Sequence, residues 1–387
     1  MKKIFAYFIL SVFGFSLMAQ LPYQSVVSRV ENESPLVEAL RQQKEAKKMS
    51  VTAGSLLDDP EVEFGYLWGS PSGKGNRWDL GVMQSFDFPT AYKHKKRILQ
   101  LTAESADVSF DQQMNALRVE VRSLCSDIVY NNALVALYGR CVANADTMVF
   151  VYERRYQTGD CNILDYNRVK MDAADAHNKL NLAVAERDML LGELKALNGG
   201  KEIDLSNIDF ESVVPSEEAF AQLVRSNPEL QALEMQSAIS ESEINLSRTQ
   251  NLPHFSAGFG SENEVGEAFR GVKVGVSLPL WSNRGQVRRA EAEKRMVEEQ
   301  LNSERLRYEN RMRGLYAKMK ALQQNVQTLE ETFNQYNSIA LLKKGFDGGQ
   351  VTLEEYLLGV EFYNDAEISI LEAKKELEQT YIQFLNR

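Results

Sequence analysis

The length of its proline-free, heptad-patterned runs restricts this chain most. No proline occurs between Pro89 and Pro215, nor between Pro279 and the C-terminus. In the first run Leu117, Val121, Leu124, Ile128, Val135, Tyr138, Val142, Ala145, Val149 and Tyr152 recur at heptad spacing, with Asn131 the polar interruption. In the second, Met312, Leu315, Met319, Leu322, Val326, Leu329, Phe333 and Tyr336 do the same. Sustained heptads predict coiled-coil packing. A single helix over Ala91–Tyr156, at about 1.5 Å per residue, reaches roughly 100 Å. A helix of that length does not fit inside a compact globule; it suits a spacer that crosses a compartment.

The same unit occurs twice, at an offset of about 190 residues, longer than the usual solenoid period. Pro35 matches Pro228, Pro60 matches Pro253, and Gly65-Tyr66 matches Gly258-Phe259. Further on, Lys96-Arg97 matches Arg288-Arg289, Gly159 matches Gly349, and Asp165-Tyr166 matches Glu355-Tyr356. Each half reads as helix, strand, turn, strand, long helix, turn, long helix. The expected boundaries are residues 20–197 for the first repeat, 198–215 for a linker, and 216–387 for the second repeat. Strands are expected over about 61–69, 77–88, 254–261 and 270–281, and long helices over about 91–157, 163–197, 284–345 and 353–386.

The strands alternate. Trp78, Leu80, Val82, Phe86 and Phe88 interleave with Asp79, Gly81, Ser85 and Asp87; Val272, Val274, Val276, Leu278 and Leu280 interleave with Gly271, Lys273, Gly275 and Ser277. Period-two alternation puts each set on one face. Each strand pair is joined by a turn-rich segment, Gly69 to Asn76 and Ser261 to Ala268, and is read as a hairpin with a moderately long loop. An apolar, aromatic face of about ten residues suits a tilted transmembrane strand with lipid on one side and water on the other. A soluble β-sandwich produces the same alternation. Two hairpins cannot close a barrel, and lipid tolerates no open sheet edge, so a membrane reading requires several copies.

At the N-terminus, Lys2 and Lys3 precede a short apolar segment, Ile4 to Leu17, with Ala19 at a suitable cleavage position. Residues 1–19 are read as a secretory signal, with the mature chain starting at Gln20. Beyond it no apolar stretch is expected to span a bilayer as a helix. Cys125, Cys141 and Cys161 are odd in number and form no framework, so no disulfide scaffold is read. The net charge of −10 argues against a nucleic-acid partner, and no long basic run is read as standing apart from acidic residues.

The helical turns match. Tyr156 to Asn162 and Phe346 to Thr352 each carry a glycine suited to a left-handed cap, followed by Asn162 or Thr352 suited to cap the next helix.

Duplicated strand hairpins feeding long helical hairpins resemble the TolC family of outer-membrane efflux proteins. The likeness covers almost the whole mature chain. It is carried by the strand-to-helix passages Gln84 to Pro89 and Val276 to Trp281, by Arg155-Tyr156-Gln157-Thr158-Gly159 and Gly349 to Tyr356, and by Phe362 to Ala366 running on into 374–386. It implies a mainly α fold with a small β part. Long helical hairpins form an α-helical barrel, and four strands per protomer contribute to a trimeric transmembrane β-barrel. It also implies an outer-membrane location in a Gram-negative bacterium with a large periplasmic part, a homotrimer embedded in outer-membrane lipid, and a passive exit duct. That duct meets a periplasmic adaptor (membrane fusion) protein and, through it, an inner-membrane pump or transporter. On this resemblance Leu80, Val82, Val272, Val274 and Val276 face lipid. Gly159, Asp160, Gly349 and Gln350 form the adaptor-contacting tips, and Asp165 and Glu355 stand at the narrow pore entrance. The same two acids also suit the positive ends of their helices. Phe346 and Val351 replace a Tyr and an Arg that help lock the entrance in some relatives.

No catalytic motif is found. His94, His177 and His254 have no metal-like spacing, no nucleophile elbow or phosphate loop is present, and neither cofactor nor metal is expected. The cargo stays open among drugs, metal ions and proteins. The competing class is a soluble periplasmic coiled-coil scaffold, which accounts for the heptads but not for four amphipathic strands; a surface adhesin is weaker still.

Overall fold

The computed structural model describes residues 22–53, 57–71, 73–205, 208–211, 214–225, 228–281 and 283–385. The signal segment expected over residues 1–19 lies outside them. The elements run α1 (Pro22–Glu33), α2 (Pro35–Ala53), β1 (Glu61–Trp68), β2 (Asn76–Phe86), α3 (Pro89–Thr158), α4 (Ile163–Leu197), α5 (Glu217–Arg225), α6 (Pro228–Thr249), β3 (His254–Glu264), β4 (Glu267–Ser277), α7 (Gln286–Tyr336), α8 (Ile339–Asp347) and α9 (Leu353–Leu385). The repeat is visible in the order. Pro35 and Pro228 each open a helix, where the missing N–H costs nothing and the fixed φ is already helical.

Contacts divide the chain into two units. The first comprises Met1–Ser34, Glu120–Val213 and Asn325–Gln379. Its interior holds Tyr23, Val26, Val27 and Val30 of α1 with Leu124, Cys125, Ile128 and Leu137 of α3. The linker is anchored here. Leu205 is buried, Asn132 Nδ2 donates to the Leu205 carbonyl at 3.0 Å, and the Glu211 N–H donates to the buried Glu378 carboxylate at 2.9 Å.

The second unit comprises Pro35–Val119, Val214–Gln324 and Thr380–Arg387. It contains an antiparallel sheet in the order β1-β2-β3-β4. Lys48 of α2 pairs with Asp107 of α3 at 2.7 Å. Phe220 of α5 stacks on Tyr316 of α7 at 4.4 Å and on Phe384 of α9 at 5.9 Å.

Three sequence expectations need correction. First, the β3–β4 connection is a two-residue turn, not a loop from Ser261 to Ala268. Val265 (φ 49) and Gly266 (φ 91) both take positive φ, the geometry of the tight turn that matches strand twist, so the ladder extends to Glu264↔Glu267. Second, the helix expected over 284–345 stops at Tyr336 and restarts at Ile339. No proline is responsible. The Asn337 side-chain oxygen accepts the Ile339 N–H at 3.1 Å, a local bond that competes with the helical ladder. The matching helix α3 runs unbroken for 70 residues. Third, α3 includes a window of 18 residues with mean hydropathy 1.3, apolar enough by length and composition to cross a membrane, which composition read by eye had not indicated.

The heptads are borne out in part. Met312, Met319 and Val326 are buried at every seventh position of α7, while Leu315, Leu322 and Leu329 between them are half-buried. In α3 the buried line beyond Asn131 passes through Leu137, Ala145, Met148 and Tyr152, leaving Val135, Tyr138, Val142 and Val149 half-buried.

Candidate functional site

The register of the sheet sets one candidate surface. Directly paired residues share a face. One row joins Phe64, Leu80, Ser261 and Arg270; the next joins Val62, Val82, Phe259 and Val272; the following ones join Gln84 with Ala257 and Val274, and Phe86 with Phe255 and Val276. Leu80, Val82, Val272, Val274 and Val276 therefore stand on a single face, and Val272 and Val274 are 79% and 77% exposed in one protomer. The opposite face carries mostly polar residues and glycines, with Leu67, Met83 and Phe269 as its apolar members. Glu63, Gly81, Gly260 and Gly271 form one row across it, Asp79 pairs with Glu262 in another, and Arg77 bridges to Glu262 at 3.1 Å. Among the described residues, β1 and β4 each have a free edge.

The helical turns form the second surface. Gly159 (φ 80) and Gly349 (φ 70) take the left-handed conformation, and a Cβ at either would meet open space. The Asp160 N–H donates to the Arg155 carbonyl at 2.7 Å, and the Gln350 N–H to the Gly345 carbonyl at 2.8 Å. Both helix ends thus close with the same wide C-terminal hydrogen bond.

Asp165 and Glu355 lie one turn into α4 and α9, each in a reciprocal cap. The Asp165 N–H donates to Asn162 Oδ1 at 2.8 Å, and Asn162 Nδ2 returns a bond to Asp165 Oδ2 at 2.9 Å. The Glu355 N–H donates to Thr352 Oγ1 at 3.2 Å, while the Thr352 N–H and hydroxyl donate to Glu355 Oε2 at 2.9 and 2.8 Å. Those Thr352 donors hold the Glu355 carboxyl below its usual pKa. Each acid still has a second oxygen free of these bonds.

Behind the turns, Met148, Tyr152, Val169 and Tyr356 form one buried cluster. Phe346 stacks on Tyr356 at 4.4 Å, the Tyr356 hydroxyl donates to Asn144 Oδ1 at 2.9 Å, and Val351 packs against the same cluster. The two positions where the chain departs from some relatives thus serve packing. Tyr156 stacks on Tyr166 at 5.3 Å, and Arg168 reaches Glu354 at 3.4 Å.

Spacing alone had not revealed two further features. A groove of about 520 Å³ runs between α4 and α9, lined by Arg168, Asp172, Asp175, Lys179, Glu361 and Asp365 among others. Burial, reinforced by Asp175, raises the Asp172 carboxyl pKa. Two histidines also have carboxylate partners: His177 lies 3.0 Å from Asp146, and His254 lies 3.0 Å from Asp87. These pairings join residues from different elements.

The sequence profile of the outer membrane efflux protein family matches residues 220–385. The fold extends the likeness to nearly the whole chain. The CmeC outer membrane channel of Campylobacter jejuni superposes with a TM-score of 0.77 at 14% identity, over 94% of this chain and 84% of that one. VceC of Vibrio cholerae gives a TM-score of 0.74 at 14% identity, over 94% of this chain and 96% of that one. The open state of the MtrE channel of Neisseria gonorrhoeae gives 0.76 at 12% identity, over 95% and 88%. No curated protein matches the chain by sequence. The chain has the fold of these outer-membrane channels, long helical hairpins with a small four-stranded β part. The family profile falls on the second repeat; the first repeat carries the same unit in a diverged sequence.

The cap at Glu355 carries a pH dependence with a definite sign. A depressed folded pKa means that the Glu355 contribution is present above the unfolded carboxyl pKa and is lost as pH falls through the folded one. Amide protection at the start of α9 should fall as pH drops through the lowered pKa of Glu355, and should be insensitive to pH there in Glu355→Gln. Thr352→Ala and Asn162→Ala should each cost about 1 kcal/mol, measured as the free energy of local opening by hydrogen exchange. Unchanged protection in both variants would dismiss the caps.

Proposed function

We propose that the chain is an outer-membrane efflux protein of the TolC type, a homotrimeric, passive exit duct of a tripartite efflux or secretion system. The observation that carries this reading is the sheet: a mainly apolar face on four strands, interrupted by Gln84, Ser261, Asn263 and Arg270, with two unpaired edges among the described residues. Lipid forbids unpaired edges. Edge-to-edge pairing of three such four-stranded sheets gives a closed barrel of twelve, with Leu80, Val82, Val272, Val274 and Val276 toward lipid and the glycine and charged rows toward water.

The matched turns are the proposed contact points for a periplasmic adaptor protein, with Gly159, Asp160, Gly349 and Gln350 exposed at the tips and no side chain crowding the glycines. An inner-membrane pump or transporter then supplies the energy. Asp165 and Glu355 are proposed as acidic rings at the entrance, each presenting the oxygen that its cap leaves free. Repeated rings of this sign favour cations.

Planar-bilayer conductance of the detergent-purified trimer tests the duct. Discrete, cation-selective steps are expected. Asp165→Asn with Glu355→Gln, substitutions that keep hydrogen-bonding groups at both caps, should lower the cation preference while leaving the number of steps unchanged. Unaltered selectivity would remove both acids from the pore. A protein that is monomeric and released from membranes by salt alone would sink the barrel.

A further inference from the structure

Residues 88–103 and 268–290 are two of the stretches that contain no Asp or Glu, in a chain whose net charge is −10, and their place in the fold sets them apart from the others. Both leave the sheet at the same end. Phe86 and Val276 flank Phe255 in adjacent rungs, about 10 Å apart by strand spacing, and the two helices depart from there. The first stretch carries Lys93, Lys95, Lys96 and Arg97; the second carries Arg284, Arg288 and Arg289 beyond β4. Basic residues thus gather at both places where the chain leaves the sheet for a long helix.

Lys95 reaches Asp87 at 2.6 Å and Arg289 reaches Glu293 at 2.8 Å. The other five cations, Lys93, Lys96, Arg97, Arg284 and Arg288, are exposed and have no carboxylate partner among the described residues. Helix stability does not account for them. They sit at or near the N-terminal ends of α3 and α7, whose first turns carry no acid, where cations oppose the helix dipole. The helices α4 and α9 have acids there instead. Immediately before Arg284 stand Leu278, Leu280 and Trp281, 59%, 72% and 77% exposed. An exposed indole beside exposed cations is the signature of a bilayer interface.

We propose that Lys93, Lys96, Arg97, Arg284 and Arg288 bind anionic phospholipid headgroups at the periplasmic boundary of the strand region, with Trp281 seated at the acyl–headgroup border. The inference rests on the membrane reading of the strands. Its physical basis is charge complementarity: cations held at a membrane surface attract anionic lipid, and each contact is screened by salt. The duplicated basic pairs Lys96-Arg97 and Arg288-Arg289, unexplained by the duct itself, then repeat because each repeat re-enters the interface once per hairpin.

The chain has three tryptophans, which makes the test direct. Trp68→Phe and Trp78→Phe leave Trp281 as the sole reporter in the full-length protein. Its quenching is measured in vesicles containing brominated phosphatidylglycerol or brominated phosphatidylcholine, bromine at the same acyl position. About two- to fivefold enrichment of the anionic lipid beside Trp281 is expected, abolished by high salt and by combining Lys96→Gln, Arg97→Gln, Arg284→Gln and Arg288→Gln. Equal quenching by both lipids would overturn the lipid site while keeping the strands in the membrane, and would turn attention to an acidic protein partner. No quenching by either lipid would overturn the membrane reading and the site with it. Should the quadruple variant not insert, the salt dependence of the parent protein decides: an enrichment that high salt leaves intact is not electrostatic and overturns the proposal.

Discussion

Val274→Arg is expected to leave the protein without the stable membrane-embedded oligomer proposed for it. Val274 pairs with Ala257 in the apolar rows of the sheet and is almost fully exposed in one protomer. An arginine facing lipid near the bilayer midplane costs roughly 2–4 kcal/mol, falling toward the interfaces. Three copies multiply that cost in a trimer, and each arginine also sits on the edge strand that must pair with the next protomer. The neighbouring Lys273 projects to the opposite face, where it lies against Gly260, so Lys273→Gln should assemble normally. The readout is the yield of heat-resistant oligomer in detergent-extracted outer membranes. Normal yield from Val274→Arg together with loss in Lys273→Gln would invert the assignment of the two faces.

The second large effect is expected at Tyr356. Its ring is 2% exposed, stacks on Phe346 and joins α9 to α3 through Asn144. Tyr356→Ala removes a buried aromatic ring from the cluster behind the helical turns, a change that typically costs about 3–5 kcal/mol for a large aromatic. Tyr356→Phe keeps the stack and loses one hydrogen bond, worth about 1 kcal/mol. Protection from hydrogen exchange across α8 and the first turns of α9 should collapse in the alanine variant and fall slightly in the phenylalanine variant. If this cluster also holds the resting entrance shut, the alanine variant should conduct more in planar bilayers. Equal protection in both variants would show that the ring does not hold the tips together.

Much of this architecture is local in origin and was therefore readable in the sequence. Period-two alternation placed Val272, Val274 and Val276 on one face because neighbouring Cβ atoms in a strand must point in opposite directions. Glycines at 159 and 349 announced the turns because few other residues take positive φ at low cost. The caps at Asn162 and Thr352 followed from short polar side chains placed before an apolar helix. Other features were not readable because they depend on competition or on distant residues. The break after Tyr336 hangs on one Asn337 side chain winning the Ile339 N–H from the helical ladder, an outcome that heptads do not encode. The tight turn at Val265 places a β-branched residue at positive φ, against its own preference; the long ladder on either side is what holds it there.

By itself the sequence determined the repeat, the helical hairpins, the strand faces and the family resemblance. All of these follow from periodicity and from residue types whose backbone preferences act over a few positions. Only the tertiary structure decided which heptad positions are buried beyond Asn131, that Tyr356 bridges to Asn144, that His254 meets Asp87, and that two acid-free segments emerge side by side from one end of the sheet. Those facts join residues far apart in the chain, and such pairings are set by packing and strand order, which no local preference specifies.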